Sequence, residues 1–125
     1  MIDKAREYLG VGFEGKLSIM EYYNKHCFPL VDASRRYRIQ PNDEWCAAFV
    51  SVVAHQCGLA GDEFPYEVST YYQLQWARRE GTFRREYCAP NDLILFDWNG
   101  NGVPQHVGFV VDVTATHITS IEGNR

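Results

Sequence analysis

Cys46 stands in the stretch Pro41-Asn42-Asp43-Glu44-Trp45-Cys46-Ala47-Ala48-Phe49-Val50, where a helix is expected to begin. With Asn42 or Asp43 as N-cap, the thiol lies in the first turn or at its edge. There the unpaired N–H groups and the positive end of the helix dipole lower a thiol pKa. The same N–H groups can stabilise an oxyanion on a bound carbonyl. A competing reading stands beside this one. Cys46 also belongs to an apolar stripe at 46, 49, 50, 53, 54 and 57, and free cysteines are commonly buried. Taken alone, the helix favours a core cysteine. A nucleophilic thiol needs a base.

The candidate bases are the four histidines at 26, 55, 106 and 117. His55 follows Cys46 by nine residues, about half a turn out of phase at ~3.6 residues per turn, so it faces away. His26 nears the end of a helix with no identifiable partner, and His117 sits at a strand start beside a turn. His106 opens a strand whose apolar phase is Val107, Phe109, Val111 and Val113; alternation puts it on the other face with Gly108, Val110 and Asp112. An exposed strand-end histidine is the ordinary alternative. A three-residue hairpin loop at 114–116 makes facing residues sum to 230, with Val113 opposite His117, Asn124 opposite His106 and Glu122 opposite Gly108. Glu122 is then a diagonal neighbour of His106 on one face, and Gly108 leaves it room. A register one residue off in either direction puts Glu122 on the wrong face. A histidine held by a carboxylate and an amide is the base a cysteine nucleophile requires, since the carboxylate fixes the tautomer and stabilises the imidazolium. Cysteine, histidine and orienting group far apart in sequence is the generic pattern of a thiol hydrolase.

The elements that must position these residues follow from pattern. Residues 2–9 read as a short helix stopped by Gly10, and Gly12 to Gly15 as a turn. Ser18 with Glu21 forms a capping box for a second helix, which Pro29 ends. An arginine-rich loop runs to Pro41, the cysteine helix follows with Gly58 as its stop, and a fourth helix runs from Ser69 as N-cap to Glu80 with Gly81 closing it. Strands are expected at 92–98, 106–113 and 117–122, with a turn at 99–102. Helices first and an antiparallel sheet afterwards make the class α+β. Asp97-x-Asn99-x-Asn101-Gly102 starts like a calcium loop, but its twelfth position is Gly108; a tight turn is the better reading. Tyr66, Tyr71, Tyr72 and Trp76 could line a substrate groove, but at helical spacing such aromatics are more often core, and no role is assigned to them.

At 125 residues the chain fits one domain, residues 1–125, and its hydrophobic fraction of 46% suits a globular protein. A formal net charge of −4 gives no global case for nucleic acid, and the basic groups at 35–38 and 78–85 read as solvated faces. The cysteines at 27, 46, 57 and 88 show no zinc-ligand spacing, so free thiols and no metal are expected. The first residues are too charged for a signal peptide, and no run of ~18 apolar residues spans a membrane. A protein made in a reducing cytoplasm is expected.

Four segments together resemble the CHAP-type amidohydrolase/peptidases, the papain-like cell-wall hydrolases of bacteria and their phages. They are Glu44-Trp45-Cys46-Ala47-Ala48-Phe49-Val50-Ser51, Pro90-Asn91-Asp92-Leu93-Ile94-Leu95-Phe96-Asp97-Trp98, Gln105-His106-Val107-Gly108-Phe109-Val110, and Ile121-Glu122-Gly123-Asn124. They stand in the family's order. Asn91 replaces the family's usual glycine, and Gln105 its usual aspartate or serine. The resemblance implies a papain-like fold, with N-terminal helices packed on a small antiparallel sheet. It also implies Cys46 as nucleophile, His106 as base, and Glu122 and Asn124 as orienting partners. The implied activity is hydrolysis of bacterial peptidoglycan, as an N-acetylmuramoyl-L-alanine amidase or an endopeptidase, with no cofactor. Because such chains usually continue past Glu-Gly-Asn, this one reads as cut short after Arg125, with a wall-binding domain or chain as partner. Two other readings stay open: an amidase or protease of the same fold on a non-wall substrate, and a non-catalytic wall-binding remnant.

Overall fold

The computed structural model describes residues 1–10, 12–85 and 87–123. Four α-helices precede three strands: α1 (Ile2–Arg6), α2 (Gly12–Tyr22), α3 (Cys46–Gln56), α4 (Thr70–Glu80), β1 (Leu93–Phe96), β2 (His106–Val113) and β3 (Ile118–Glu122). The fold class is α+β, as the order of patterns implied.

Helix α3 is the centre of the molecule. All its residues from Cys46 to Ala54 are buried, against α1, α2, β2 and β3. The expected one-sided stripe is therefore an all-round apolar helix, which is what a helix covered on every side requires. Its one polar side chain in that span, Ser51, bonds back to the Ala47 carbonyl at 2.9 Å. Gly58, with φ of +86°, ends it as expected, and the Leu59 N–H reaches back to the Ala54 carbonyl at 3.2 Å. The start differs. Trp45, not Asn42 or Asp43, is the N-cap residue, and no side chain caps it. Asp43 is used elsewhere: its carboxylate accepts from the Gln40 N–H at 2.8 Å and the Tyr37 hydroxyl at 2.7 Å, closing the turn before the helix.

Helix α2 begins at Gly12 rather than Ser18, so the expected turn is helical. It runs on through a π-helical turn, Tyr23–Cys27, before a 3₁₀ turn that contains Pro29. Ile19, Met20, Tyr23 and Cys27 form the face it buries. Helix α4 has the expected bounds: Ser69 Oγ accepts from the Tyr72 N–H at 3.4 Å, and Gly81 takes φ of +73°. The arginines at 35–38 are not simply solvated. Arg35 grips Glu67 through two bonds of 2.9 and 3.1 Å and lies over the Tyr72 ring, while Arg36 donates to the Val31 and Pro29 carbonyls.

The sheet has the order β1-β2-β3, with both pairs antiparallel. Val107, Phe109 and Ile121 turn one face into the core against Phe49, Val50 and Val53, each worth about 1.5–3 kcal/mol when fully buried. The β1–β2 connection is longer than the expected turn at 99–102, running from Asp97 to Gln105; within it the Asp97 carboxylate accepts from the N–H groups of Asn101 at 3.3 Å and Gly102 at 2.7 Å. The β2–β3 hairpin departs from expectation in two ways that cancel. Val113 pairs with Ile118 rather than His117, so the loop holds Thr114 to His117; a bulge between Val110 and Asp112 then absorbs the extra residue. Beyond it, Gly108 faces Glu122 as expected. The bulge also removes Val113 from the apolar phase, leaving it 38% exposed.

Candidate active site

The first residue of β2 and the last of β3 meet across the sheet. His106 Nε2 lies 2.8 Å from Glu122 Oε1, and the His106 side chain is 5% exposed. Phe96 faces His106 in the register, so Phe96, His106, Gly108 and Glu122 lie on one face. Gly108 is what lets the carboxylate cross. A Cβ there would stand 2.5 Å from Glu122 Cγ and 2.8 Å from the Ile121 carbonyl oxygen. On the far side, Glu122 Oε2 accepts a short bond from the Ser120 hydroxyl. Both carboxylate oxygens are thereby engaged, and the imidazole is left with Nδ1 directed away from Glu122.

Cys46 is the first residue of α3, one position deeper in the helix dipole than a cap at Trp45. The first helical bond runs from the Phe49 N–H to the Trp45 carbonyl at 2.8 Å, so the N–H groups of Cys46 and Ala47 have no helical acceptor. Burial pushes the Cys46 thiol up, and the Glu44 carboxylate adds to this; the backbone N–H groups of Val107, Ala47 and Cys46 itself pull the other way. The expected lowering by the helix start is thus present but outweighed. The part played by Val107, which directly follows His106, ties the sulfur to the strand that His106 opens. Just past β3, Gly123 packs against the same helix start: a Cβ on it would stand 2.7 Å from Phe49 Cβ and 3.2 Å from Trp45 Cε3.

The other histidines stand apart from this pair. His55 accepts or donates at 2.7 Å to the Tyr22 hydroxyl, and its ring stacks on His26 at 5.5 Å, near the opposite end of α3. Burial and the His26 charge hold His55 below the usual imidazole range. His117 meets the Thr116 hydroxyl in the hairpin loop. Asn124 lies outside the described residues. Cys27, Cys46, Cys57 and Cys88 are all free thiols. Sequence reasoning missed Ser120 and Trp98. Ser120 was legible by period two from Glu122. Trp98, whose ring lies 5.7 Å from that of His106, was expected inside strand 92–98; the strand ends at Phe96, so Trp98 stands in the loop beyond it.

The residue order and this geometry have a counterpart among known sequences. The CHAP domain model matches residues 32–124, a span that includes Cys46, His106, Glu122 and Asn124. No curated protein and no solved structure matches the chain. With well over half of its length matched, the chain belongs to the CHAP domain family of cysteine- and histidine-dependent amidohydrolases and peptidases.

Proposed function

We propose that the protein hydrolyses an amide bond of bacterial peptidoglycan, either at the sugar–peptide junction or within the peptide, with Cys46 as nucleophile and His106 as base. The observation that carries this reading is the buried 2.8 Å bond from His106 Nε2 to Glu122, in a strand whose next residue, Val107, turns its backbone N–H to the Cys46 thiol. With Nε2–H donated to the carboxylate, the neutral imidazole keeps a free electron pair on Nδ1. Nδ1 takes the Cys46 proton as sulfur attacks the carbonyl carbon, and Glu122 stabilises the resulting imidazolium. The oxyanion that forms can be met by N–H groups at the start of α3. Nδ1–H then passes its proton to the amine as the C–N bond breaks, leaving a thioester. Water, losing a proton to Nδ1, adds to the thioester carbonyl, and sulfur departs and regains its proton.

The test is incubation of purified protein with isolated cell walls, following turbidity and freed amino groups. Wild type is expected to release amines, with mass analysis of the fragments naming the bond. Cys46→Ala and His106→Ala should each lower the rate by at least ~10³-fold. A folded wild-type protein that frees no amine from walls of several chemistries would refute the wall substrate.

A further inference from the structure

We propose that Trp98 is a positioning residue for His106: from a loop tied by Gln105, its indole lies nearly parallel to the imidazole and holds the ring plane in which Nδ1 serves Cys46. The inference rests on the reading of His106 as the base. As the first residue of a strand emerging from a loop, His106 would ordinarily be open to water; it is 4% exposed. Two aromatic rings contribute to its cover. The Trp98 ring lies 5.7 Å from the imidazole and 16° from parallel, and Phe96 lies 5.7 Å away at 37°. Phe96 and Trp98 also stack on each other at 5.5 Å and 25°. Trp98 itself is 61% exposed. Core packing therefore does not explain why so large an apolar side chain sits here.

The loop fixes the backbone that carries that indole. The main-chain N–H of Trp98 donates to Gln105 Oε1 at 2.8 Å, and the main-chain N–H of Gln105 donates to the Phe96 carbonyl at 2.8 Å. The Gln105 side-chain amide also donates to the Val103 carbonyl, so one residue ties both arms of the turn. The side chain holds the ring at Cγ and the Glu122 bond holds it at Nε2, which leaves rotation of the ring plane about the line joining them. A parallel indole removes that freedom by setting the ring plane. Its π-face also attracts an imidazolium more than a neutral imidazole, so its effect grows as the proton arrives. The charged groups bearing on this step are Glu122 at Nε2 and Glu44 toward the thiol.

The experiment compares wild type with Trp98→Ala, Trp98→Phe and Gln105→Ala, all in a Cys57→Ser, Cys88→Ser background. Alkylation of Cys46 by iodoacetamide is followed peptide by peptide, and kcat and KM are measured on cell walls where cleavage occurs. Alkylation of Cys46 is expected to slow roughly tenfold in Trp98→Ala and several-fold in Gln105→Ala. Trp98→Phe should recover to within about threefold of wild type, and kcat should fall in parallel with KM unchanged. Alkylation needs no wall substrate, so it still decides this inference if no wall is cleaved. An unchanged alkylation rate in folded Trp98→Ala, or a raised KM at constant kcat, would overturn it. Should Trp98→Ala not fold, a wild-type rate in Gln105→Ala overturns it equally.

Discussion

Glu122 is engaged at both oxygens, by His106 Nε2 at 2.8 Å and by the Ser120 hydroxyl. Its position depends in turn on an absent side chain, that of Gly108. Two contributions of the carboxylate can be separated: it orients the imidazole, and its charge stabilises the imidazolium. Glu122→Gln keeps an oxygen acceptor and nearly the same shape but removes the charge. We expect kcat/KM to fall about 10²-fold, with a urea midpoint close to that of wild type. Glu122→Ala, which removes orientation as well, should fall further. Near-normal turnover in a folded Glu122→Gln protein would mean that hydrogen-bond geometry alone suffices and that the charge is not used.

Elements bring these residues together, and the junction is the tip of β3 against the start of α3. An added methyl at Gly123 would press on Phe49 at its Cβ, an atom fixed to the helix backbone, so it cannot be relieved by a rotamer change. Gly123→Ala should therefore cost about 1–3 kcal/mol, read as a lower urea midpoint at unchanged m-value. Wall cleavage should drop more than stability alone explains, because the strain separates the thiol from the sheet. How far sequence reached differs among these elements. Helix α4 was legible because Ser69 and Gly81 supply local chemistry for both ends. The start of α3 was not, because Asp43 makes its bonds to Tyr37 and Gln40 in the preceding turn, and no pattern separates a turn carboxylate from a helix cap. The pairing of His106 with Glu122 was reached through a loop one residue too short, compensated by a bulge the sequence does not announce. The one-face placement of His106 and Glu122 was legible from period-two alternation, and the aromatic cover was not, because the expected strand 92–98 ends at Phe96 and leaves Trp98 in a loop that no alternation places.

Across the whole molecule, burial sets the dependence of stability on pH. Cys27, fully buried at the end of the π-helical turn, is pushed up to about 12, and burial also raises Cys46, Tyr23 and Tyr66. In the unfolded chain a thiol loses its proton near ~8.5 and a phenol near ~10. Above ~8.5 the unfolded state therefore binds fewer protons than the folded state, and stability must fall as pH rises. On the acid side His55 has the opposite sign: its depressed value means the unfolded chain takes up a proton first, below ~6.5, and stability falls there too. A maximum between about pH 6.5 and 8.5 follows. The source of the alkaline limb can be isolated. Between pH 7.5 and 9.5 thiols titrate in the unfolded chain while most phenols do not, so the loss over that interval belongs chiefly to Cys27 and Cys46. Cys27→Ala should lower the urea midpoint at both pH values, because it opens a small void, yet shrink the difference between them. The Cys27→Ala, Cys46→Ala double variant should shrink it further. If the single variant retains the full wild-type difference, proton release from Cys27 does not drive the alkaline loss, and repulsion within a chain that already carries a formal charge of −4 becomes the better cause.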